Sequence, residues 1–372
     1  MRIPARRLPE GFRQQVGAAM DVFGMRDFDG HERVVFGRDE ATGMQAVIAI
    51  HSTALGPAAG GCRMWPYPST REAVRDVLRL SRGMSYKNAL ADLPLGGGKA
   101  VIIADASAKS PELWRAYGQF VDSLGGRYIT AEDVGTTTAD MQQVAQVTRY
   151  VSGLPRRPGE AGGDPAPRTA LGVFLGLKAA VRFQLGRADL AGVRVAIQGL
   201  GGVGYHLCRL LAADGARLRV ADVRDTAVQR VVEEFGAVAV PVEQVLFEDV
   251  DVLAPCALGA VLNGQSIPRL AARIVAGAAN NQLAESADGQ SLQRAGILYA
   301  PDYVVNAGGI ISVAREYQGG ASEEQVIAEI HRIPERLTEI FERARREGRA
   351  THVIADEMAR ERIGRPVRRL VA

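Results

Sequence analysis

The stretch "VRVAIQGLGGVG", Val193–Gly204, decides the fold. It opens with a short apolar run suited to a buried strand, breaks on a glycine and runs into a segment that reads as a helix. Gly199, Gly201 and Gly204 take the G-x-G-x-x-G spacing, with Leu200, Gly202 and Val203 between them. The first glycine makes the tight turn, the second lets a pyrophosphate approach the backbone, and the third lets the helix pack on the strand. The helix N-terminus then offers unpaired N–H groups to phosphate. About 20 residues on, Asp222 and Val223 end the next strand, where a carboxylate would bind a ribose 2′-hydroxyl. Strand, loop, helix and acid in this order make a dinucleotide site. Asp222 favours NAD over NADP, since a 2′-phosphate would face its charge, while Arg217, Arg219 and Arg224 nearby pull the other way.

Working outward, the second half continues as βα units: "ARLRVADV", a helix from Asp225, "AVAV", "VDVLAPCA", "ARIVAGAA" and "GILYAP". Such repeats imply a doubly wound parallel sheet with helices on both faces. Glu323–Gly348 reads as one amphipathic helix bent at Pro334, and a last helix spans about Val353–Ile363. Upstream, Gly153–Thr169 is rich in Gly and Pro and has no period, which marks a linker or hinge. Before it, Met44–Ser52 reads as a strand, Glu72–Leu93 as a long helix, Lys99–Ala104 as a buried strand, and Pro111–Leu124 and Thr138–Val147 as helices. The expectation is an α/β protein of two domains, 1–152 completed by a C-terminal helix at about 345–372, and 153–344, with a cleft between them.

Composition agrees with that class. At 372 residues the chain is long for one domain, and 47% hydrophobic with 23% charged residues is ordinary for a globular protein. A net charge of +3 leaves no nucleic-acid footprint; Arg2, Arg6 and Arg7, and Arg343, Arg345, Arg346 and Arg349, read as solvated ends. Cys62, Cys208 and Cys256 are scattered and odd in number, so neither a disulfide frame nor a metal site is expected, and a reducing cytoplasm fits. The N-terminus lacks the apolar core of a signal peptide, and no apolar run is long enough to span a membrane.

"LPLGGGKAVI", Leu93–Ile102, is a second glycine-rich stretch. Its Lys99 is followed by Ala100, not the Ser or Thr of a phosphate loop, and the phosphates already have a home. Gly96, Gly97 and Gly98 read as clearance for substrate and nicotinamide and as a sharp turn into a buried strand. A lysine in a dry, cation-rich place loses its proton readily and can act as a general base. Lys87 shares an otherwise apolar helix face with Leu80, Met84 and Ala91. Such a lysine either snorkels to solvent or awaits an anion in a pocket. Asp133, in "TAEDVGT", follows a strand end and offers a partner carboxylate.

These residues lie in motifs that resemble the glutamate/leucine/phenylalanine/valine dehydrogenase family, most closely its leucine and valine enzymes. The motifs are "AVIAIHSTALGPAAGGCRMWPY", "LSRGMSYKNALADLPLGGGKAVI", "GGRYITAEDVGTT", "IQGLGGVG", "APCALGA", "AGAANNQLA" and "APDYVVNAGGI", in family order from about Asp21 to Arg362. The resemblance implies an N-terminal substrate domain, a Rossmann NAD-binding domain and an active site in the cleft, closing around Gly153–Thr169. It implies NAD-linked oxidative deamination of an L-amino acid to its 2-oxo acid and ammonia, and the reverse, in a homo-oligomer such as a dimer or octamer. Lys87 then matches the lysine on the substrate carboxylate, Lys99 the lysine that activates water, and Asp133 the aspartate handling protons at the amino group. Gly60 and Gly61 match the backbone lining the substrate site. Thr169, Ala257 and Asn280 match positions at the cofactor, Asn280 also lying near the substrate amino group.

The side-chain pocket implied by the resemblance is Ala59, Met84, Ala131, Ile310 and Val313, which is apolar. Glutamate-specific members carry a lysine where Ala59 stands and a serine where Val313 stands, so a side-chain carboxylate would be left unpaired. Branched aliphatic substrates are expected first. Aromatic ones stay open because Ala59 is smaller than the leucine typical of leucine enzymes. Arg315 stands where common members have an acid, with no derived effect. Two rivals are a non-catalytic NAD-binding relative, which should have lost Lys99 or Asp133, and a 2-hydroxy-acid dehydrogenase, which pairs a His with a carboxylate. None of the five histidines (His31, His51, His206, His331, His352) has that placement in the sequence.

Overall fold

Two β-sheets organise the chain. In the computed structural model, which describes residues 20–155 and 163–366, the first sheet takes β1 (Arg33–Asp39), β2 (Met44–Ser52), β3 (Ala58–Ala59), β4 (Cys62–Trp65), then, after helix α1 (Thr70–Leu90), β5 (Gly96–Ile103), and after α2 (Pro111–Asp122), β6 (Tyr128–Ile129). A short helix α3 (Thr138–Val144) follows. The strand order is β1-β2-β5-β3-β6, with β4 also on β5. β1 and β5 run antiparallel to β2, whereas β3 and β4 run parallel to β5, so the sheet is mixed.

The apolar runs in β2 and β5 follow from burial on both faces. Val47, Ala49 and Val101 pack under Val74, Val77 and Leu78 of α1. Ile48, Ile50 and Ile102 pack on the other side against Leu113, Trp114 and Tyr117 of α2. Ser69 caps α1 by accepting the Glu72 N–H, and Ser110 caps α2 by accepting that of Leu113, with Pro111 in the first turn.

The expected turn at Gly96–Gly98 is absent: all three residues belong to β5. None has a positive φ. A Cβ at Gly96 would collide with the Ser52 carbonyl, one at Gly97 with the Ser85 backbone nitrogen, and one at Gly98 would sit 2.7 Å from the Tyr128 ring. The clearance is thus taken up by the protein itself: Gly97 lets α1 lie close on the strand that carries Lys99, and Gly96 and Gly98 make room for Ser52 and Tyr128.

The second sheet begins after α4 (Ala166–Leu185) and takes β7 (Arg194–Gln198), α5 (Gly202–Ala213), β8 (Arg217–Ala221), α6 (Asp225–Phe235), β9 (Val238–Ala239), β10 (Val252–Pro255), β11 (Ile274–Val275), α7 (Ser286–Arg294) and β12 (Leu298–Tyr299). Its order is β12-β11-β10-β7-β8-β9, all parallel. The order reverses between β7 and β10, so the crevice for a ligand opens at the carboxyl ends of those strands. Five helices complete the chain: α8 (Asp302–Val305), α9 (Gly308–Gln318), α10 (Glu323–Ile330), α11 (Ile333–Glu347) and α12 (Thr351–Arg362).

Two expectations are corrected here. The Gly/Pro-rich linker does not run to Thr169, because α4 starts at Ala166; residues 156–162 lie outside the described ones. The helix expected over Glu323–Gly348 is two helices, α10 and α11, and Pro334 sits in the first turn of α11, where its missing N–H costs nothing. The last helix, α12, returns to the first half: Arg360 reaches Asp29 at 2.8 Å, and Arg362 donates to the Ala89 carbonyl at 2.9 Å. Among the described residues, no helix is long and apolar enough to cross a membrane.

Candidate active site

A cavity of about 300 Å³ lies between the two halves. From the first half it is lined by Gly60, Gly61, Lys87, Lys99 and Asp133, and from the second by Thr169, Val203 and Asn280. The five residues expected to form the side-chain pocket line it too: Ala59, Met84 and Ala131 on one side, Ile310 and Val313 from α9 on the other. Helical spacing puts Ile310 and Val313 on one face of α9.

Each charged group is set by its strand or helix. Lys99 stands in β5 opposite Ala49 and is 5% exposed. Asp133 follows the bridge between Cys62 and Glu132, and a tight turn holds it, its N–H donating to Thr136 Oγ1 at 2.8 Å. Lys99 Nζ lies 3.0 Å from Asp133 Oδ1, and Arg63 Nε lies 3.0 Å from Asp133 Oδ2. Arg63 in turn donates to Asp76 at 3.0 Å. Burial works against the Asp133 carboxylate, but Lys99 and Arg63 outweigh it and hold its pKa down at about 2. Asp133 thus faces Lys99 directly as its carboxylate, with the second lysine, Lys87, close enough to feel the Lys99 charge.

Lys87, in the last turn of α1, reaches across the cavity and donates to Asn280 Oδ1 at 3.4 Å. Burial pushes the Lys87 ammonium down to about 8; Asp302 acts to raise it and Lys99 to lower it further. Asn280 Oδ1 also accepts from Asn306 Nδ2 at 2.9 Å, and Asn306 Nδ2 donates to the Ala278 carbonyl at 3.0 Å. Asp302 holds this loop by accepting the Gln282 N–H at 2.9 Å. Burial raises the Asp302 carboxyl, with Lys87 among the groups opposing it.

The remaining expected residues lie outside the cavity, along the strand ends. Gly199 has φ +96, a conformation that favours glycine, and its Cβ position meets Ala257. A Cβ at Gly201 would meet nothing within 4 Å, so its backbone stays open to an approaching ligand. A Cβ at Gly204 would collide with the Gly199 carbonyl, which explains the close packing of α5 on β7. Gly202 starts α5. The Leu200 side chain belongs to the core, while its N–H donates to Asp222 Oδ2 at 2.6 Å. Arg224 pairs with Asp222 Oδ1 at 3.2 Å, and Val223 is 85% exposed. The open backbone at Gly201 and the fixed carboxylate at Asp222 fit a dinucleotide. Among the described residues, no group of three or more His, Cys, Asp or Glu side chains could hold a metal ion.

The sequence reading missed Arg63, Asp302 and Asn306. Arg63 is a charge inside a strand next to the Gly-Gly pair, and Asp302 and Asn306 lie in "APDYVVNAGGI". A buried charge in an apolar motif was the available signal.

Comparison with known proteins agrees with this arrangement. Residues 31–150 match a family model described as the Glu/Leu/Phe/Val dehydrogenase dimerisation domain. Residues 218–365 match the Glutamate/Leucine/Phenylalanine/Valine dehydrogenase model. A leucine dehydrogenase of Geobacillus stearothermophilus is 49% identical over 345 residues, which cover 92% of this chain and 94% of the relative. A phenylalanine dehydrogenase of Bacillus thermotolerans is 47% identical over 339 residues, 90% of this chain and 88% of the relative. The crystal structure of L-tryptophan dehydrogenase from Nostoc punctiforme superposes with a TM-score of 0.78 at 48% identity, over 90% of this chain and 96% of that one. The chain belongs to the glutamate/leucine/phenylalanine/valine dehydrogenase family, and it is an amino acid dehydrogenase with that family's two-domain fold.

Proposed function

We propose that this chain oxidatively deaminates apolar L-amino acids, branched aliphatic ones first, with NAD as its cofactor, and runs the reverse amination. The observation that carries the reading is the convergence of Lys87, Lys99 and Asp133 in one cavity whose facing wall is apolar. When bound at the glycine loop, NAD supplies the hydride acceptor. Lys87 holds the substrate carboxylate as an ammonium, and the Gly60 and Gly61 backbones line the other side. Asp133, kept ionised by Lys99 and Arg63, receives the substrate amino group and orients it. The imino acid that follows oxidation at Cα is attacked by water, whose proton passes to Lys99 Nζ after the ammonium has given up its own proton, with Arg63 keeping Asp133 ionised meanwhile. Asn280, steadied by Asn306, lies beside Lys87 and faces the same end of the substrate, with Thr169 nearer the cofactor.

The cavity argues against a dicarboxylate substrate. Its lining cations are Lys87 and Lys99, both engaged at the α-carbon end, and its lining acids are Glu132, Asp133 and Asp302. A side-chain carboxylate would enter an apolar pocket without a partner. An aromatic side chain is a second reading, favoured by Gly83, whose Cβ position meets nothing within 4 Å in the same cavity, and by the small Ala59. NAD is preferred over NADP because the Asp222 carboxylate would repel a 2′-phosphate. We also infer a homo-oligomer built through the first domain, supported by the description of the matching family model. The domain division after Ser152, with α12 returning to α1, and a cytoplasmic location, supported by three free cysteines, complete the reading.

The test is kcat/KM for L-leucine, L-valine, L-phenylalanine and L-glutamate, each with NAD and NADP. The expected order has a branched aliphatic substrate first with NAD and glutamate last. Glutamate first would overturn the pocket argument. NADH oxidation with 4-methyl-2-oxopentanoate that proceeds without ammonium would favour a hydroxy-acid enzyme instead.

A further inference from the structure

One carboxylate outside the cavity ties α9 to the segment where the chain leaves the first domain. Glu316 lies on α9, three residues after Val313, and its Oε1 accepts the backbone N–H of both Gly153 and Leu154, at 2.8 and 2.9 Å. Two N–H groups converging on one charged oxygen make a strong and directional contact. Burial raises the Glu316 carboxyl while the two N–H donors oppose that rise.

Gly153 is fixed to the other side of the cavity. Its φ is +79, and its Cβ position lies 3.7 Å from Glu132 Cγ, so it packs on the residue before Asp133. Ser152, just before it, donates its N–H to the Thr130 carbonyl at 2.8 Å, and Thr130 donates to the Tyr150 carbonyl at 3.0 Å. The segment Thr130–Asp133 and the segment Tyr150–Leu154 are therefore tied to each other by backbone hydrogen bonds. Ser152, Thr130, Glu132 and Asp133 all line the cavity.

We propose that Glu316 is a positioning residue that fixes the apolar wall on α9 against the segment carrying Asp133, and so sets the width of the substrate cavity. This rests on the cavity being the substrate site. The clasp works through an acceptor oxygen at a fixed reach. An amide oxygen at the same reach preserves it, whereas a carboxylate one methylene shorter withdraws it. A misplaced wall costs substrate orientation first, because the reacting atoms must be held within a fraction of an ångström.

The experiment compares the full-length wild type with Glu316→Gln, Glu316→Asp and Glu316→Ala, reading kcat and KM for L-leucine and NADH affinity by fluorescence. Glu316→Ala and Glu316→Asp should raise the amino-acid KM about tenfold or more, with NADH affinity unchanged, and Glu316→Gln should stay within about threefold of wild type. If Glu316→Ala does not fold, the Gln and Asp pair decides in the same way. An Ala variant within about twofold of wild type, or a Gln variant as impaired as the Asp one, would overturn the clasp. A wild type that turns over none of L-leucine, L-valine and L-phenylalanine would overturn the clasp together with the substrate site; an active wild type with a silent Glu316→Ala overturns the clasp alone.

Discussion

Lys99 Nζ sits 3.0 Å from one oxygen of Asp133, and Arg63 Nε sits 3.0 Å from the other. The carboxylate is bracketed by two cations from neighbouring strands, β5 and β4, which place them by their pairing register. Its pKa is thereby held at about 2, and Lys99 is kept against it in the wall of the cavity.

Arg63 is the less obvious half of that bracket. With its pKa near 2, below the ordinary aspartate value, Asp133 adds stability that is present above about pH 4 and is lost as pH falls toward 2. Removing one cation raises that pKa. Arg63→Ala should move the acid limb of the stability–pH curve, read by urea unfolding, up by about one pH unit. An unmoved acid limb would show that Arg63 does not hold the carboxylate.

Lys87 has the opposite sign. Its ammonium is pushed down to about 8 from 10.5, so the charged form costs stability below about pH 8, and that cost fades as pH rises toward 10.5. Two outcomes follow. The KM for the amino acid should climb above about pH 8 as the carboxylate loses its ammonium partner. Lys87→Met should show a high KM that is flat with pH, together with a raised Tm at pH 7. A Lys87→Met enzyme with wild-type KM would remove Lys87 from the carboxylate role.

Gly97 tests the structural account of the glycine run. Its Cβ position collides with the backbone of Ser85 in the middle of α1, and neither backbone can yield cheaply. Gly97→Ala should destabilise the fold by about 3 kcal/mol or more in urea unfolding, whether or not cofactor and substrate are present. A variant of normal stability with impaired catalysis would restore the reading that this glycine makes room for ligands.

Much of the architecture was legible because it is written in local pattern. The positive φ at Gly199, the open space at Gly201 and the close packing at Gly204 are local to a strand, a loop and a helix, which is why a spacing of glycines could signal them. The break between α10 and α11 was not legible, since an apolar stripe runs through both helices and a proline reads equally as a kink or as a first turn. α4 was hidden because its start, "DPAPRT", shares its composition with a linker. In the site, Lys87, Lys99 and Asp133 stood out as polar residues in apolar surroundings. Arg63 and Glu316 did not, because their meaning comes from partners some 70 and 160 residues away in the chain. Gly96–Gly98 misled for the same reason: the atoms they make room for belong to Ser52, Ser85 and Tyr128.

The central claim, that Lys99 beside Asp133 does the proton work of deamination, is tested most directly by Lys99→Ala in steady-state turnover with NADH binding measured on the same preparation. The account predicts a kcat for L-leucine lowered by about 10³-fold or more with NADH affinity unchanged. A Lys99→Ala enzyme that keeps kcat within about tenfold of wild type would contradict it.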